Sequence, residues 1–254
     1  MYPSMFLHSA ARLLMTGGLL VAIAGWWMKD VLPDPAKLQL GELEEPVQKS
    51  VRKPPIDTRV NGVDYRIQPR YAYELNAVVV SLHHSDTWWD YAHKEWGDHV
   101  NVMDLCVAWG DSVRSGAYRD VSFHNTQWEC HWSYRSERAM KHFSNNQASN
   151  NHIVTDDPAI AKALRNIRIG DQIRMSGYLV DYTTFRGGQP VGKRVTSETR
   201  TDSGPGACEV LYIDAFDTVG SPNRAWHAAQ TAGLAALILG LVLWLFLPAR
   251  LDAG

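Results

Sequence analysis

Cysteine is scarce in this chain, with 3 in 254 residues. That is too few for a fold built on disulfides. A charge bias of either sign is also lacking: 25 Lys+Arg stand against 27 Asp+Glu, for a formal net charge of −2. The footprint of a general nucleic-acid binder is therefore missing, and no nucleic-acid partner is expected. No HExxH, paired CxxC or CxxCH spacing occurs. The ordered zinc signatures and covalent haem attachment are excluded, and no cofactor is expected. No internal repeat is visible. With 45% apolar and 20% charged residues, a disordered or collagen-like chain is excluded too.

What is present, first, is an apolar stretch at each end. Leu13 to Met28 carries no charge and is bracketed by Arg12 and Lys29, with Trp26 and Trp27 at its C-terminal end. Aromatic rings favour the membrane–water interface. The segment reads as a membrane anchor over 13–30. A cleaved signal peptide is the alternative, with Ala22-Ile23-Ala24 resembling a small-x-small cleavage site. The second stretch, 225–249, lies between Arg224 and Arg250 and is long enough to cross a bilayer with some tilt. Gly233, Ala236 and Gly240 are small residues that permit close helix packing. Arg12 and Arg250 place the tails 1–12 and 250–254 in the cytoplasm by the positive-inside rule. The region between is then exported, in a bacterium to the oxidising periplasm.

Within that region, residues 31–70 read as a proline-rich tether, with Pro33, Pro35, Pro46, Pro54 and Pro55. An ordered arm on the domain is the competing reading. A β-rich domain is expected over 71–217, followed by a linker, 218–224. Strand formers are dense over Tyr73–Leu82, Val102–Trp109, Val121–Tyr134, Ile167–Tyr182 and Cys208–Phe216, and Gly187-Gly188 suits a hairpin turn. Asp156 or Asp157 with Pro158 opens a helix whose apolar face is Ile160, Ala161, Leu164 and Ile167. A poorer helix is expected over Thr87–Trp96. The fold class is mainly β (α+β), a small barrel or curved sheet with one or two short helices, flanked by two transmembrane helices.

From Met103 onward several motifs recur together: Asp104-Leu105 with Trp109-Gly110, then Ser149-Asn150-Asn151-His152. Gly170-Asp171, Gly177-Tyr178-Leu179-Val180, Thr199-Arg200 and Asp202 through Glu209 follow. In these motifs the chain resembles an uncharacterised family of bacterial inner-membrane-anchored proteins. The resemblance implies one continuous exported domain and assigns no chemistry. The Gly-Asp strand pattern is also similar to small β-barrels of the oligonucleotide-binding type.

Four constellations carry chemical potential. Cys208 follows a glycine-rich turn, with His152 upstream and Arg200 and Asp202 nearby. A cysteine nucleophile needs a base and a group that orients the base; Cys208, His152 and either Asp202 or Asn150 can supply them. L,D-transpeptidases also set a cysteine after a glycine-containing turn with an upstream histidine, but their Ser-His-Gly-Cys signature is replaced here by Pro205-Gly206-Ala207 before the cysteine. The alternative is a structural thiol. Cys106 and Cys130 lie on neighbouring expected strands and are the favoured disulfide pair. Eight of the ten histidines fall between His83 and His152, and with Asp90, Asp98 and Cys130 they permit a metal site without specifying one. Trp88, Trp89, Trp96, Trp109, Trp128 and Trp132 form a dense aromatic segment, suited equally to a binding face or to a tryptophan-rich core.

With no complete catalytic motif, the first expectation is a non-enzymatic accessory subunit. It would be anchored in membrane lipid, docked on a membrane or envelope protein or on a second copy of itself, with its β domain in the periplasm. The alternatives are a periplasmic cysteine hydrolase or transpeptidase centred on Cys208 and His152, and a histidine-based metal-binding protein.

Overall fold

The computed structural model describes residues 3–246 except 86, 203 and 205. The expected C-terminal tail, 250–254, and the last residues of the second span lie outside them. The described chain forms two compact units, one holding residues 32–221 and the other residues up to 31 together with those from 222.

The terminal unit is a pair of helices, α1 (Pro3–Met28) and α6 (Arg224–Phe246). Both are long and apolar enough to cross a membrane, by length and composition. They meet at their small residues. A Cβ on Gly233 would lie 2.4 Å from the Ala22 amide nitrogen, and one on Gly18 would lie 2.8 Å from the Gly233 carbonyl oxygen. Only glycine permits that approach of backbones. Asn223 donates to the Val31 carbonyl and ties the two chain ends of this unit together.

The central unit is mixed α+β. Its strands are β1 (Val47–Ser50), β2 (Ile56–Val60), β3 (Val63–His84), β4 (Asn101–Ala108), β5 (Val121–Asn125), β6 (Cys130–Tyr134), β7 (Ala148–Val154), β8 (Gln172–Arg186), β9 (Gln189–Arg194) and β10 (Glu209–Gly220). Four short helices, α2 (Ala92–Trp96), α3 (Gly110–Arg114), α4 (Glu137–His142) and α5 (Pro158–Leu164), decorate them. Eight strands form one large sheet in the order β1-β3-β4-β7-β10-β8-β9, with β2 and β8 also paired to β3. The β7–β10 pair is parallel, and the other pairs are antiparallel. β3 is long enough to pair with β8 over its first two thirds and with β4 at its end, which curls the sheet. β1, β2 and β9 remain as edges, so of the small barrel or curved sheet expected from the sequence it is the curved sheet that forms, larger and with more helices than expected.

Residues 32–70 are part of this unit rather than a free tether. The prolines there interrupt the chain between short strands instead of extending it, and β1 and β2 pair onto β3. The helix expected from Thr87 is confined to Ala92–Trp96. Asp157 caps α5 by accepting from the Ala159 and Ile160 amides, with Pro158 in the first position.

Alternation divides β4 between two cores. Met103, Leu105 and Val107 face the main core with Leu75, Ile153, Leu179 and Leu211. Cys106 and Ala108 face a second cluster beneath the β5–β6 hairpin. The face shared by Cys106 and Ala108 is also the face of Asp104, because successive side chains point to opposite sides of a strand.

Candidate functional site

Register carries three polar residues to neighbouring positions on that outer face. Asp104 on β4 sits opposite His152 on β7, and Cys208 immediately precedes β10, the parallel neighbour of β7. Asp104 is fully buried and His152 is buried; Cys208 is half-buried and is the free cysteine. His152 Nδ1 lies 2.6 Å from Asp104 Oδ1. Cys208 and His152 line the same cavity, and the Cys208 thiol favours the charged form of the His152 ring. With Nδ1 committed to the carboxylate, Nε2 is the nitrogen turned toward Arg194. A thiol thus shares a cavity wall with a histidine that a buried carboxylate orients.

Burial penalises the charged imidazole, but the Asp104 carboxylate outweighs it, and His152 is pushed up to about 9. Arg194 opposes this. Its Nη1 lies 3.1 Å from Nε2 and can donate there only while the ring is neutral. Asn101 donates to Asp104 Oδ1 at 3.2 Å. Asn150 donates to Cys208 Sγ at 3.4 Å and to the Trp128 carbonyl at 3.0 Å. Asn150 is itself held by Asn125, whose amide donates to Asn150 Oδ1 at 3.0 Å.

Two cavities flank Cys208. One, of about 690 Å³, is lined by Trp96, Trp128, His152, Tyr182, Arg194 and Cys208 among others. Trp128 stacks on Trp96 with ring centroids 5.2 Å apart, and the Arg194 guanidinium lies 5.0 Å from the Trp128 ring centre. Tyr182 donates to Asp98, which Arg194 also approaches. The other cavity, of about 420 Å³, is lined by Cys130, Trp132, Asn150, Arg200, Asp202, Cys208 and Glu209 among others. Burial pushes Glu209 up to about 8, so it faces this cavity largely protonated at neutral pH.

The disulfide joins Cys106 on β4 to Cys130 at the start of β6, with the Cα atoms 5.8 Å apart. It pins the hairpin to the sheet and holds the Trp128 segment over Cys208, whose thiol lies 3.6 Å from the Trp128 carbonyl.

Of the residues singled out in the sequence, Cys208, His152 and Asn150 come together. Asp202 does not orient the histidine: it accepts from the Ser197 hydroxyl at 2.7 Å and lines the smaller cavity. Arg200 is engaged elsewhere, against the rings of Tyr73 and Trp109. The aromatic segment is not one face. Trp109 is fully buried in the main core and donates to Glu45. Trp132 donates to Asn145 on the hairpin side. Trp96 and Trp128 wall the larger cavity, while Trp88 and Trp89 form a separate edge-to-face pair, 81% and 60% exposed. Asp104 and Arg194 escaped the sequence reading. For Asp104 a signal existed: it is the sole charge in an otherwise apolar strand, and a buried carboxylate demands a partner.

No family model matches the chain, and no curated protein or solved structure matches it.

Proposed function

We propose that the central unit is a cysteine-dependent acyl hydrolase or acyltransferase. The observation that carries this is the buried Asp104–His152 pair on the wall of a cavity that Cys208 also lines. Cys208 Sγ, its proton held by the imidazolium of His152, adds as a thiolate to the acyl carbon of an ester, thioester or amide. The bond to the leaving group breaks, and His152 returns the proton to that group. Water or an amine then adds to the resulting thioester, gives its proton to His152, and releases Cys208 as the thiolate. Asn150, which already reaches Sγ, is the nearest side-chain donor for the oxyanion. Asp104 is a positioning residue that holds the ring by Nδ1 and favours its charged form.

The anchored, exported location joins this reading as a proposal: both tails in the cytoplasm and the central unit in the bacterial periplasm. Two helices of spanning length and a disulfide suited to an oxidising compartment support it. The pairing circuit β3–β4–β7–β10–β8 and back to β3, with β7–β10 parallel and α5 between β7 and β8, supports kinship with the partly open barrels of the oligonucleotide-binding type. Such barrels bind ligands over their second and third strands, which here correspond to β4 and β7, the strands of Asp104 and His152.

The test is turnover of an activated ester and an activated thioester by the detergent-solubilised full chain. Cys208→Ala is expected to abolish turnover, and His152→Ala to reduce it by about 10²-fold or more, the usual share of acid–base catalysis. Turnover that survives both substitutions overturns the proposal. One observation favours the scaffolding reading as a second function, the exposed Trp88–Trp89 pair. Its test is co-purification in mild detergent, where a monodisperse monomer without partners counts against it.

A further inference from the structure

A second polar cluster lies beside the Cys208 site and takes no part in its chemistry. His83, at the end of β3, and His93, on α2, both aim a ring nitrogen at one carboxylate oxygen of Asp90. His83 Nε2 lies 2.7 Å and His93 Nδ1 2.8 Å from Asp90 Oδ2. Asp90 is fully buried, His93 is 1% exposed, and the His83 side chain is 19% exposed. The carboxylate is fixed further by the His93 amide, which donates to Oδ1 at 3.0 Å. All three ligand atoms lie within 4.8 Å of one another.

We infer that His83, Asp90 and His93 form a binding site for a divalent transition metal, zinc by the chemistry of its donors. Two imidazoles and a carboxylate are borderline donors suited to zinc, and ligand–zinc distances near 2.0–2.1 Å require each ring nitrogen to draw back from the Asp90 oxygen by only about 0.5 Å. The partly exposed edge of His83 leaves an entry path and a fourth position for water, as in open zinc sites.

The surroundings supply the outer partner that a metal-bound histidine needs. His93 Nε2 faces the Asn101 amide nitrogen at 3.3 Å, while Asn101 Oδ1, buried, has no hydrogen-bond partner. In the metal-free state the ring keeps its proton on Nδ1, donates it to Asp90, and accepts from Asn101 at Nε2. Metal entry takes the Nδ1 lone pair, and the single ring proton passes from Nδ1 to Nε2 by way of solvent, so the imidazole stays neutral. The Asn101 amide then turns to offer Oδ1 to that Nε2 proton, at the expense of its bond to Asp104. The Trp128 ring, 4.0 Å from the His93 ring centre, closes the far side against water, and its apolar face strengthens ligation at the metal.

The experiment is a titration of the chelator-stripped full chain with Co²⁺ in mild detergent, in a Cys208→Ser background so that thiolate bands do not interfere. One equivalent is expected to raise visible d–d absorption, and Zn²⁺ is expected to bleach it. His83→Ala, at the exposed edge, and Asp90→Asn should each weaken binding by at least about tenfold, while His131→Ala, outside the cluster, should not. The metal-free melting temperature of His83→Ala shows whether its loss of binding is a loss of fold. If the parent chain takes up no stoichiometric Co²⁺, or if binding survives in folded His83→Ala, the inference falls and the cluster is a carboxylate clamped by two imidazoles. The readout is the metal itself, so it stands or falls apart from acyl transfer at Cys208.

Discussion

Asp104 and Glu209 are both buried carboxyl groups in the same sheet, yet their surroundings differ. Asp104 finds an imidazole at 2.6 Å; Glu209 Oε2 finds no partner and burial pushes its acid up to about 8. His152, held up to about 9 by Asp104 despite its burial, titrates in the same direction. Both groups hold protons more tightly folded than unfolded, so stability falls as pH rises. For Glu209 the fall runs from the ordinary 4.5 up to about 8. For His152 the stabilisation is whole below 6.5 and is lost as pH rises through about 9. Melting temperatures are therefore expected to decline from about pH 5 to about pH 9. Glu209→Gln should flatten the lower part of that decline and His152→Gln the upper part. A melting curve that rises over this range contradicts both assignments. Of these residues only His152 was legible as functional in the sequence. Glu209 reads as one more polar position at a strand start, and what makes it unusual is the three-dimensional burial that the one-dimensional pattern does not carry.

Among the elements, the strongly apolar β4 and β10, the capped α5 and the β8–β9 hairpin were all legible, because periodicity, caps and paired glycines are local signals. β7 was not. Its sequence, ASNNHIV, is polar where it pairs, and it becomes a fully buried strand only because β4 and β10 cover both of its edges. The orienting carboxylate was missed for the same reason: Asp104 and His152 are 48 residues apart and meet through register. Asp202, six residues from Cys208, seemed the nearer partner by sequence distance alone. The β5–β6 hairpin depends on its disulfide. Replacing Cys106 and Cys130 together by serine is expected to cost about 3 kcal/mol on the loop-entropy account, given their separation of 24 residues. Denaturant unfolding with and without reductant measures it. The same variant should loosen the Trp128 segment over Cys208, seen as a faster exchange of the amides flanking Trp128. Unchanged stability would mean that packing of Phe123, Trp132 and Phe143 holds the hairpin without covalent help.

For the molecule as a whole, the sequence divides where the structure divides, with apolar helices at the two ends and a folded unit between. The boundary was misjudged on the N-terminal side, where proline density suggested a free tether and strand pairing absorbed it. In the terminal unit, the contact of Gly18 with Gly233 makes a sharp expectation. Gly233→Leu should part the two helices, since the new side chain has no room against the Ala22 backbone. Amide exchange around Gly18 and Ala22 in detergent is expected to quicken in that variant. Exchange unchanged by Gly233→Leu would mean that the helices do not meet along this seam.

The central claim, that His152 and Asp104 make Cys208 a nucleophile, is tested most directly by the alkylation rate of Cys208 in the folded, full-length chain. Iodoacetamide labelling at neutral pH, resolved by peptide mass, reports it while Cys106 and Cys130 stay bridged. The account predicts rapid labelling in the parent chain, slowing by at least about tenfold in His152→Ala and by a lesser factor in Asp104→Asn. A Cys208 that labels at the rate of an ordinary thiol, and at the same rate in all three proteins, would contradict it and return the cysteine to a structural role.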